Sequence, residues 1–177
     1  LGGGSADGAF TLKLINDLYD LNISKDQLKK YAAELGSDCA FFIENTPQYA
    51  TGRGEVLESC NLTLNGKTIV LINDGTHIST QEAYGNVTPK LPDSNLQAIL
   101  KKPLNEWKNC LMNDFEKGIF KNHPQLAEYV DKLYESGAIY AAMTGSGSTV
   151  FGIFKDSPDL HPDLQNLPGF VKELKLK

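Results

Sequence analysis

Leu1-Gly2-Gly3-Gly4-Ser5-Ala6-Asp7-Gly8-Ala9 runs three consecutive glycines straight into a helical pattern. From Ser5 to Asp20 that pattern predicts a helix, with Leu14, Leu18 and Leu21 spaced i, i+4, i+7 on one face. The glycines therefore fall at a helix N-terminus. Glycine lets a backbone approach a ligand closely, and the unpaired N–H groups of a first helical turn, with the helix dipole, favour an anion such as phosphate. Ser5 adds a hydroxyl at the same end. The segment is neither G-x-G-x-x-G nor a Walker loop, because no Lys-Ser/Thr follows the glycines. A flexible glycine tail is the competing reading, and the direct entry into a good helix weighs against it.

Working outward, Ser24 and Gln27 form a capping-box pair ahead of Leu28, Tyr31, Ala32 and Leu35, which predicts a second helix with Gly36 as its C′ residue. Ser37-Asp38-Cys39-Ala40-Phe41-Phe42-Ile43 follows, and its apolar cluster fits a helix or a strand equally. Asp38 has two readings there. A carboxylate beside an apolar run can serve as a general base toward a substrate hydroxyl, whereas capping the next helix is the commoner role of Asp at such a position. Thr51-Gly52-Arg53-Gly54 predicts a turn between two short extended segments, and Asn65-Gly66 marks a boundary.

Beyond the boundary, Thr68 to Ile72 reads as a strand, Thr80 to Tyr84 as a short helix and Lys90 to Asn95 as a proline-containing linker. The following stretch is mainly helical, with Trp107, Leu111, Phe115, Leu126, Val130 and Leu133 as core positions and Gly137 as a helix stop. Ala138 to Met143 and Thr149 to Phe154 are β-prone runs joined by Thr144-Gly145-Ser146-Gly147-Ser148. That turn can gather N–H groups around a phosphate oxygen, and a purely structural hairpin explains it at least as well. Leu164 to Leu176 closes the domain with a short helix or strand. Strands and helices without strict alternation give an α+β class in two parts, 1–64 and 65–177.

Composition narrows the function classes. The chain has 177 residues, 41% hydrophobic, with 17 Lys+Arg against 22 Asp+Glu and a net charge of −5. That length suffices for a core burying roughly 70% of the unfolded surface, and the mild acidity argues against nucleic acid as a partner. The longest purely apolar run, Ala138 to Met143, is far below the roughly 18 residues of a membrane span. Cys39, Cys60 and Cys110 are an odd set without C-x-x-C spacing, so they propose neither a disulfide framework nor a zinc knuckle and fit a reducing compartment. His77, His123 and His161 are too scattered for a metal motif. Gly66-Lys67-Thr68 imitates the end of a Walker loop, but Asn61 stands where its first glycine belongs.

Taken together and in order, the two glycine segments and Asp38 resemble the small-molecule kinases named for galactokinase, homoserine kinase, mevalonate kinase and phosphomevalonate kinase. Within that superfamily the triple glycine looks most like the 4-diphosphocytidyl-2-C-methyl-D-erythritol kinase branch. Leu35-Gly36-Ser37-Asp38-Cys39-Ala40-Phe41-Phe42 is similar to its L-G-[AS]-D-V-P-F-F segment, and Ala50-Thr51-Gly52-Arg53-Gly54-Glu55 to its A-x-G-x-G-E turn. Ile78 to Tyr84 resembles its substrate-side segment, Asn113-Asp114-Phe115-Glu116 its N-D-[LF]-E helix, and Met143 to Ser148 its third, glycine-rich motif. Cys39 and Ala40 replace the usual Val and Pro, a change of packing more than of chemistry.

The resemblance implies a two-domain kinase fold: the back part of an N-terminal S5-like, ATP-binding domain over 1–64 and a ferredoxin-like domain over 65–177. It implies a cytoplasmic enzyme, monomeric or homodimeric, that uses ATP and Mg2+ to phosphorylate the 2-hydroxyl of the cytidyl-diphospho-methylerythritol intermediate of non-mevalonate isoprenoid synthesis. Asp38 would be the base, Leu1, Gly2, Gly3, Gly4, Ser5 and Ala6 would hold the ATP phosphates, and Thr80 would contact the methylerythritol part. Gly145, Ser146, Gly147 and Ser148 would close over phosphates, and no protein metal ligand is assigned. The family's front segment, with a lysine that pairs with the aspartate, does not appear in these residues, so the 177 residues alone are expected to be inactive. A sister kinase acting on homoserine or a mevalonate-type alcohol, and a non-catalytic binding fragment, are the alternatives.

Overall fold

Helix starts, small residues and one alternating strand determine most of the architecture. A computed structural model describes residues 3–90 and 95–177. The chain divides into two units, one ending at Thr63 and the other spanning Leu64–Lys177, and the mixture of helices with antiparallel strands is the expected α+β class.

The first unit holds α1 (Gly4–Leu18), α2 (Lys25–Leu35), α3 (Cys39–Glu44) and a hairpin of β1 (Gln48–Thr51) and β2 (Val56–Ser59). Ser24 caps α2 as its sequence predicts, accepting from the Gln27 N–H at 3.3 Å. The ambiguous apolar cluster after Ser37 is the helix α3. The core is made of small and medium side chains, Ala9, Leu28, Ala32, Cys39, Ala40 and Ile43, flanked by Leu12, Ile23, Phe42 and Leu57. The expected face of α1 is not the buried one: Leu14 and Leu18 are 63% and 67% exposed, while Ala9 is fully buried. Tyr31 and Leu35 of α2 are likewise exposed. Side-chain bulk suggested those faces, but close helix contact runs through small residues. A Cβ on Gly8 would already stand 3.7 Å from Leu35 Cδ1 and 3.8 Å from Cys39 Sγ. Gly36 also departs from expectation. It is the C-cap of α2 in extended backbone, its N–H bonding Ala32 O, so no left-handed glycine ends this helix.

The second unit contains β3 (Thr68–Asn73), α4 (Thr80–Gly85), α5 (Leu96–Leu100), a short 3-10 helix (Leu104–Asn109), α6 (Glu116–Asn122) and α7 (Pro124–Glu135). β4 (Tyr140–Met143), β5 (Val150–Phe154), α8 (Pro162–Gln165) and β6 (Phe170–Lys175) complete it. The sheet order is β4-β5-β3-β6, antiparallel at every pairing. Counted within the unit this is 2-3-1-4, the order of a ferredoxin-like sheet. β3 alternates strictly: Thr68, Val70 and Ile72 are buried and their neighbours half-buried, so the strand turns one face to the helices. Val70, Ile72, Ile119, Leu126, Leu133 and Val150 are completely buried in its core.

Trp107 is buried as expected, whereas Phe115 and Val130 are partly buried and Leu111 is half-buried. Gly137, left-handed at φ 90°, follows α7 as predicted. Most of the expected linker, 91–94, lies outside the described residues. Gly169 admits no side chain at all, since a Cβ there would lie 1.9 Å from the Asn73 carbonyl oxygen. Among the described residues, no helix is long and apolar enough to cross a membrane.

Ile119→Ala should cost about 2–5 kcal/mol, because it opens a cavity in a side-chain environment with no solvent access. Met112→Ala, at a residue 74% exposed, should stay within about 0.5 kcal/mol. Urea unfolding of the two variants beside the parent checks the contrast.

Candidate functional site

The glycine run lies where its sequence predicts, at the start of α1. Gly3 is the N-cap and Gly4, Ser5 and Ala6 form the first turn, while Leu1 and Gly2 lie outside the described residues. The first N–H groups of a helix have no intrahelical acceptor, and a Cβ on Gly4 would meet nothing within 4 Å. This end is therefore open to a ligand at close range. Asp7, on the same turn, favours the dipole but opposes an anion. Anion binding here would rest on N–H geometry and not on net charge.

Asp38 is the N-cap of α3, yet its side chain makes no capping hydrogen bond. Position and duty are thus separate. The carboxylate lines a cleft of about 290 Å3 together with Ser5, Phe41, Phe42, Ala50, Gly54 and Leu57, so two sequence-predicted residues from different helices meet in one cavity. The hairpin turn makes room for it. Gly54, at φ 111°, would place a Cβ only 2.9 Å from Asp38 Oδ1. The turn is fixed by the Gly54 N–H on Thr51 O at 3.1 Å and by the Arg53 N–H on Glu55 Oε2 at 2.7 Å. A larger cleft of about 470 Å3, lined by Ala33, Glu34, Ser37, Arg53 and Glu55, contains neither Ser5 nor Asp38. Chemistry favours the smaller one.

In the second unit, Thr144 to Ser148 is the tight connection of β4 to β5. Gly145 and Gly147 have φ of 57° and 89°, and Thr144 N and Gly147 N are bonded within the turn, to Thr149 O and Thr144 O. A Cβ on Gly147 would stand 2.7 Å from Met143 Sδ and 2.9 Å from Ile78 Cδ1. Ser148 is buried, and its hydroxyl is engaged internally: it donates to Thr76 O and accepts from Asn73 Nδ2 at 3.2 Å. This hydroxyl is committed to the fold and is not available to a ligand.

Thr80 is exposed at the first position of α4, behind the N-cap Ser79, which accepts from the Glu82 N–H at 3.1 Å. The same segment packs Ile78 toward the glycine turn, so Thr80 and that turn belong to one neighbourhood of the second unit. Glu82 accepts from His123 Nε2 at 2.9 Å, and that bond holds its carboxyl below the usual glutamate range. Burial of Glu116 pushes its carboxyl up from the ordinary 4.5, although the Met143 N–H at 2.7 Å opposes the shift. Asn73 and His123 escaped sequence reasoning. Each acts on a residue 41 or more positions away, and no local pattern announces such a partner. Among the described residues, no group of three or more His, Cys, Asp or Glu side chains is placed to hold a metal ion.

Comparison with known proteins finds the family described as GHMP kinases N terminal domain over residues 1–45 and that described as GHMP kinases C terminal over 95–169. A 4-diphosphocytidyl-2-C-methyl-D-erythritol kinase of Bacteroides fragilis is 49% identical over 99% of this chain and 64% of its own length. The protein of that name in Cytophaga hutchinsonii is 44% identical over 98% of this chain and 65% of its own length. The chain thus spans a little under two thirds of these curated relatives. A crystal structure of 4-(cytidine 5'-diphospho)-2C-methyl-D-erythritol kinase superposes with a TM-score of 0.75 at 30% identity, over 88% of this chain and 57% of that one. Homoserine kinase from Cytophaga hutchinsonii, at 11% identity and a TM-score of 0.58 over 90% of this chain and 59% of that one, shares the fold.

The raised carboxyl of Glu116 has a testable sign. A carboxyl that holds its proton more tightly when folded stabilises the fold fully only below its unfolded pKa, and that contribution is lost as pH rises through the folded value. Glu116→Gln retains an acceptor for the Met143 N–H and cannot titrate. Its urea midpoint should therefore gain on the parent's as pH rises above the ordinary glutamate value of 4.5. A difference that stays constant with pH would show that the side chain does not titrate high.

Proposed function

We propose that this chain, which belongs to the GHMP kinases, is part of an enzyme that phosphorylates the 2-hydroxyl of 4-diphosphocytidyl-2-C-methyl-D-erythritol, a step of non-mevalonate isoprenoid precursor synthesis. The observation that carries this reading is the cleft in which Asp38, free of capping duty, lies with Ser5 of the glycine-led helix. The names of the relatives over nearly the whole chain support the substrate.

Phosphoryl transfer asks a protein mainly for positioning and charge stabilisation. When bound, ATP with Mg2+ supplies the transferring phosphoryl group. The N–H groups of Gly3, Gly4, Ser5 and Ala6 hold its phosphate oxygens, and Leu1 and Gly2, which precede them in sequence, are proposed to take part. Donors aimed at developing charge are worth several kcal/mol, about 3–4 for one well-placed donor. Asp38 orients the substrate hydroxyl and takes its proton. Thr80 contacts the methylerythritol part, and the turn from Gly145 to Ser148 holds phosphate oxygens, Ser148 through its backbone alone. The proposed enzyme is cytoplasmic and monomeric or homodimeric, and a net charge of −5 is compatible with anionic ligands because the donors are backbone groups.

In the full-length protein, Asp38→Asn should cut turnover by about 10²-fold or more with ATP affinity nearly intact. Parent-like turnover would remove Asp38 from the mechanism. The assay is phosphoryl transfer to the cytidyl substrate beside homoserine and mevalonate. Preferential phosphorylation of either alternative alcohol would overturn the substrate assignment.

Gly54→Ala should lower kcat by about 10-fold or more through displacement of the Asp38 carboxylate. Nucleotide affinity, read by titration with ADP, should change little, since the added methyl group faces Asp38 and not the glycine-led helix.

A further inference from the structure

The turn after β4 is gripped by one side-chain amide. Asn113 Nδ2 donates to the carbonyls of Met143 at 2.9 Å and Gly145 at 2.8 Å, while its Oδ1 accepts from the Phe115 N–H at 3.0 Å. Only one orientation of the amide satisfies all three bonds. In a trans planar peptide the N–H points opposite to the carbonyl it follows. Drawing Met143 O toward Asn113 therefore sends the Thr144 N–H the other way, where it meets Thr149 O at 2.9 Å. Drawing Gly145 O toward Asn113 does the same to the Ser146 N–H. Among the described residues, nothing accepts from that group.

The result is a donor fixed in direction and left open in a half-buried turn. Its preceding residue, Gly145, is left-handed at φ 57°, a conformation that helps successive N–H groups converge on an anion. Glu116 holds the same limb of the turn by accepting from the Met143 N–H. The peptide before Ser146 thus has its carbonyl pinned from one side and its N–H offered on the other.

We propose that Asn113 is a positioning residue that aims the Ser146 N–H at a phosphate oxygen of the bound ligand. The inference rests on the kinase reading for the identity of that ligand, and its geometry is independent of which alcohol is phosphorylated. Asn113 touches neither ligand nor reacting atoms in this scheme. Its contribution is to keep the Gly145–Ser146 peptide from rotating and withdrawing the donor.

The test uses the full-length enzyme. Asn113→Asp replaces the donating amide by a carboxylate facing two carbonyls, and should lower kcat by about 10- to 100-fold while the KM for the alcohol moves by less than about threefold. Ile119→Ala, a core variant with a comparable or larger loss of stability, should keep kcat within about twofold, which separates positioning from general loosening. Independently of turnover, the Ser146 amide resonance should shift when inorganic pyrophosphate is titrated into the parent and stay still in Asn113→Asp. If Asn113→Asp does not fold, Asn113→Ala takes its place and must give the same kcat loss and the same silent resonance. A parent-like kcat in either variant, or a Ser146 resonance that pyrophosphate does not move in the parent, overturns the inference. A parent that phosphorylates no alcohol but shifts its Ser146 resonance sinks the kinase reading and leaves the positioning role standing.

Discussion

A carboxylate at a helix start ordinarily bonds the helix's own unpaired N–H groups, and the chemistry available to the first unit depends on Asp38 not doing so. It holds the N-cap position of α3 without a capping bond. Its surroundings account for the arrangement. Gly54 carries no side chain into the space beside Oδ1, and the turn that holds Gly54 in place is bonded to itself through Thr51, Arg53 and Glu55. The carboxylate is thereby presented to a cleft instead of to its own helix. An unmade cap costs about 0.5–2 kcal/mol of helix stability, and the packing of Cys39, Ala40 and Ile43 in the core of the unit compensates for it.

The second unit meets a related requirement by different means. Its glycine turn has no helix behind it to align N–H groups, so alignment comes from side-chain amides bonded at both ends. Asn73 joins the far limb through Ser148 Oγ and Thr149 Oγ1, at 3.2 and 2.9 Å, and anchors itself by accepting from the Gly75 N–H at 2.9 Å. The Ser148 hydroxyl passes the constraint on to Thr76 O. Asp74, just after Asn73, is tied in turn. Burial raises its carboxyl, but bonds from Thr76 and from the Tyr129 hydroxyl outweigh that effect and leave it below the usual aspartate range. The glycine-rich turn is in this way bonded on both flanks, to β3 and to the segment before α6.

The elements were largely legible because their signals are local. Ser24 with Gln27 announces α2, the alternation of β3 is visible in Thr68 to Ile72, and Gly137 stops α7. The order of short motifs nominated Asp38 and both glycine segments as candidates, and the structure places Asp38 and Ser5 on one cleft. What failed was the burial of helix faces in the first unit. Leu14 and Leu18 carry the apolar signal, yet Ala9 and Gly8 make the contact, since the distance between helices depends on the smallest side chains between them. The support of the glycine turn was also invisible. Asn113 acts on carbonyls 30 and 32 residues away, and an asparagine's sequence neighbours do not disclose which peptide it will hold.

The proposed reliance on backbone donors would also explain how an acidic chain can suit phosphate ligands. A lysine or arginine attracts an anion through a long-range field that salt screens and many geometries satisfy. An N–H group offers only a short-range bond in one direction, worth about 1.5–3 kcal/mol toward a charged acceptor, and little side-chain entropy is lost in making it. Discrimination then shifts from the charge of the ligand to the position of its oxygens. Such a design tolerates Asp7 on the first turn of α1 and a net charge of −5. It tolerates rotation of a peptide poorly, so in the proposed chemistry the glycine positions and the amides behind them would matter more than the distribution of surface charge.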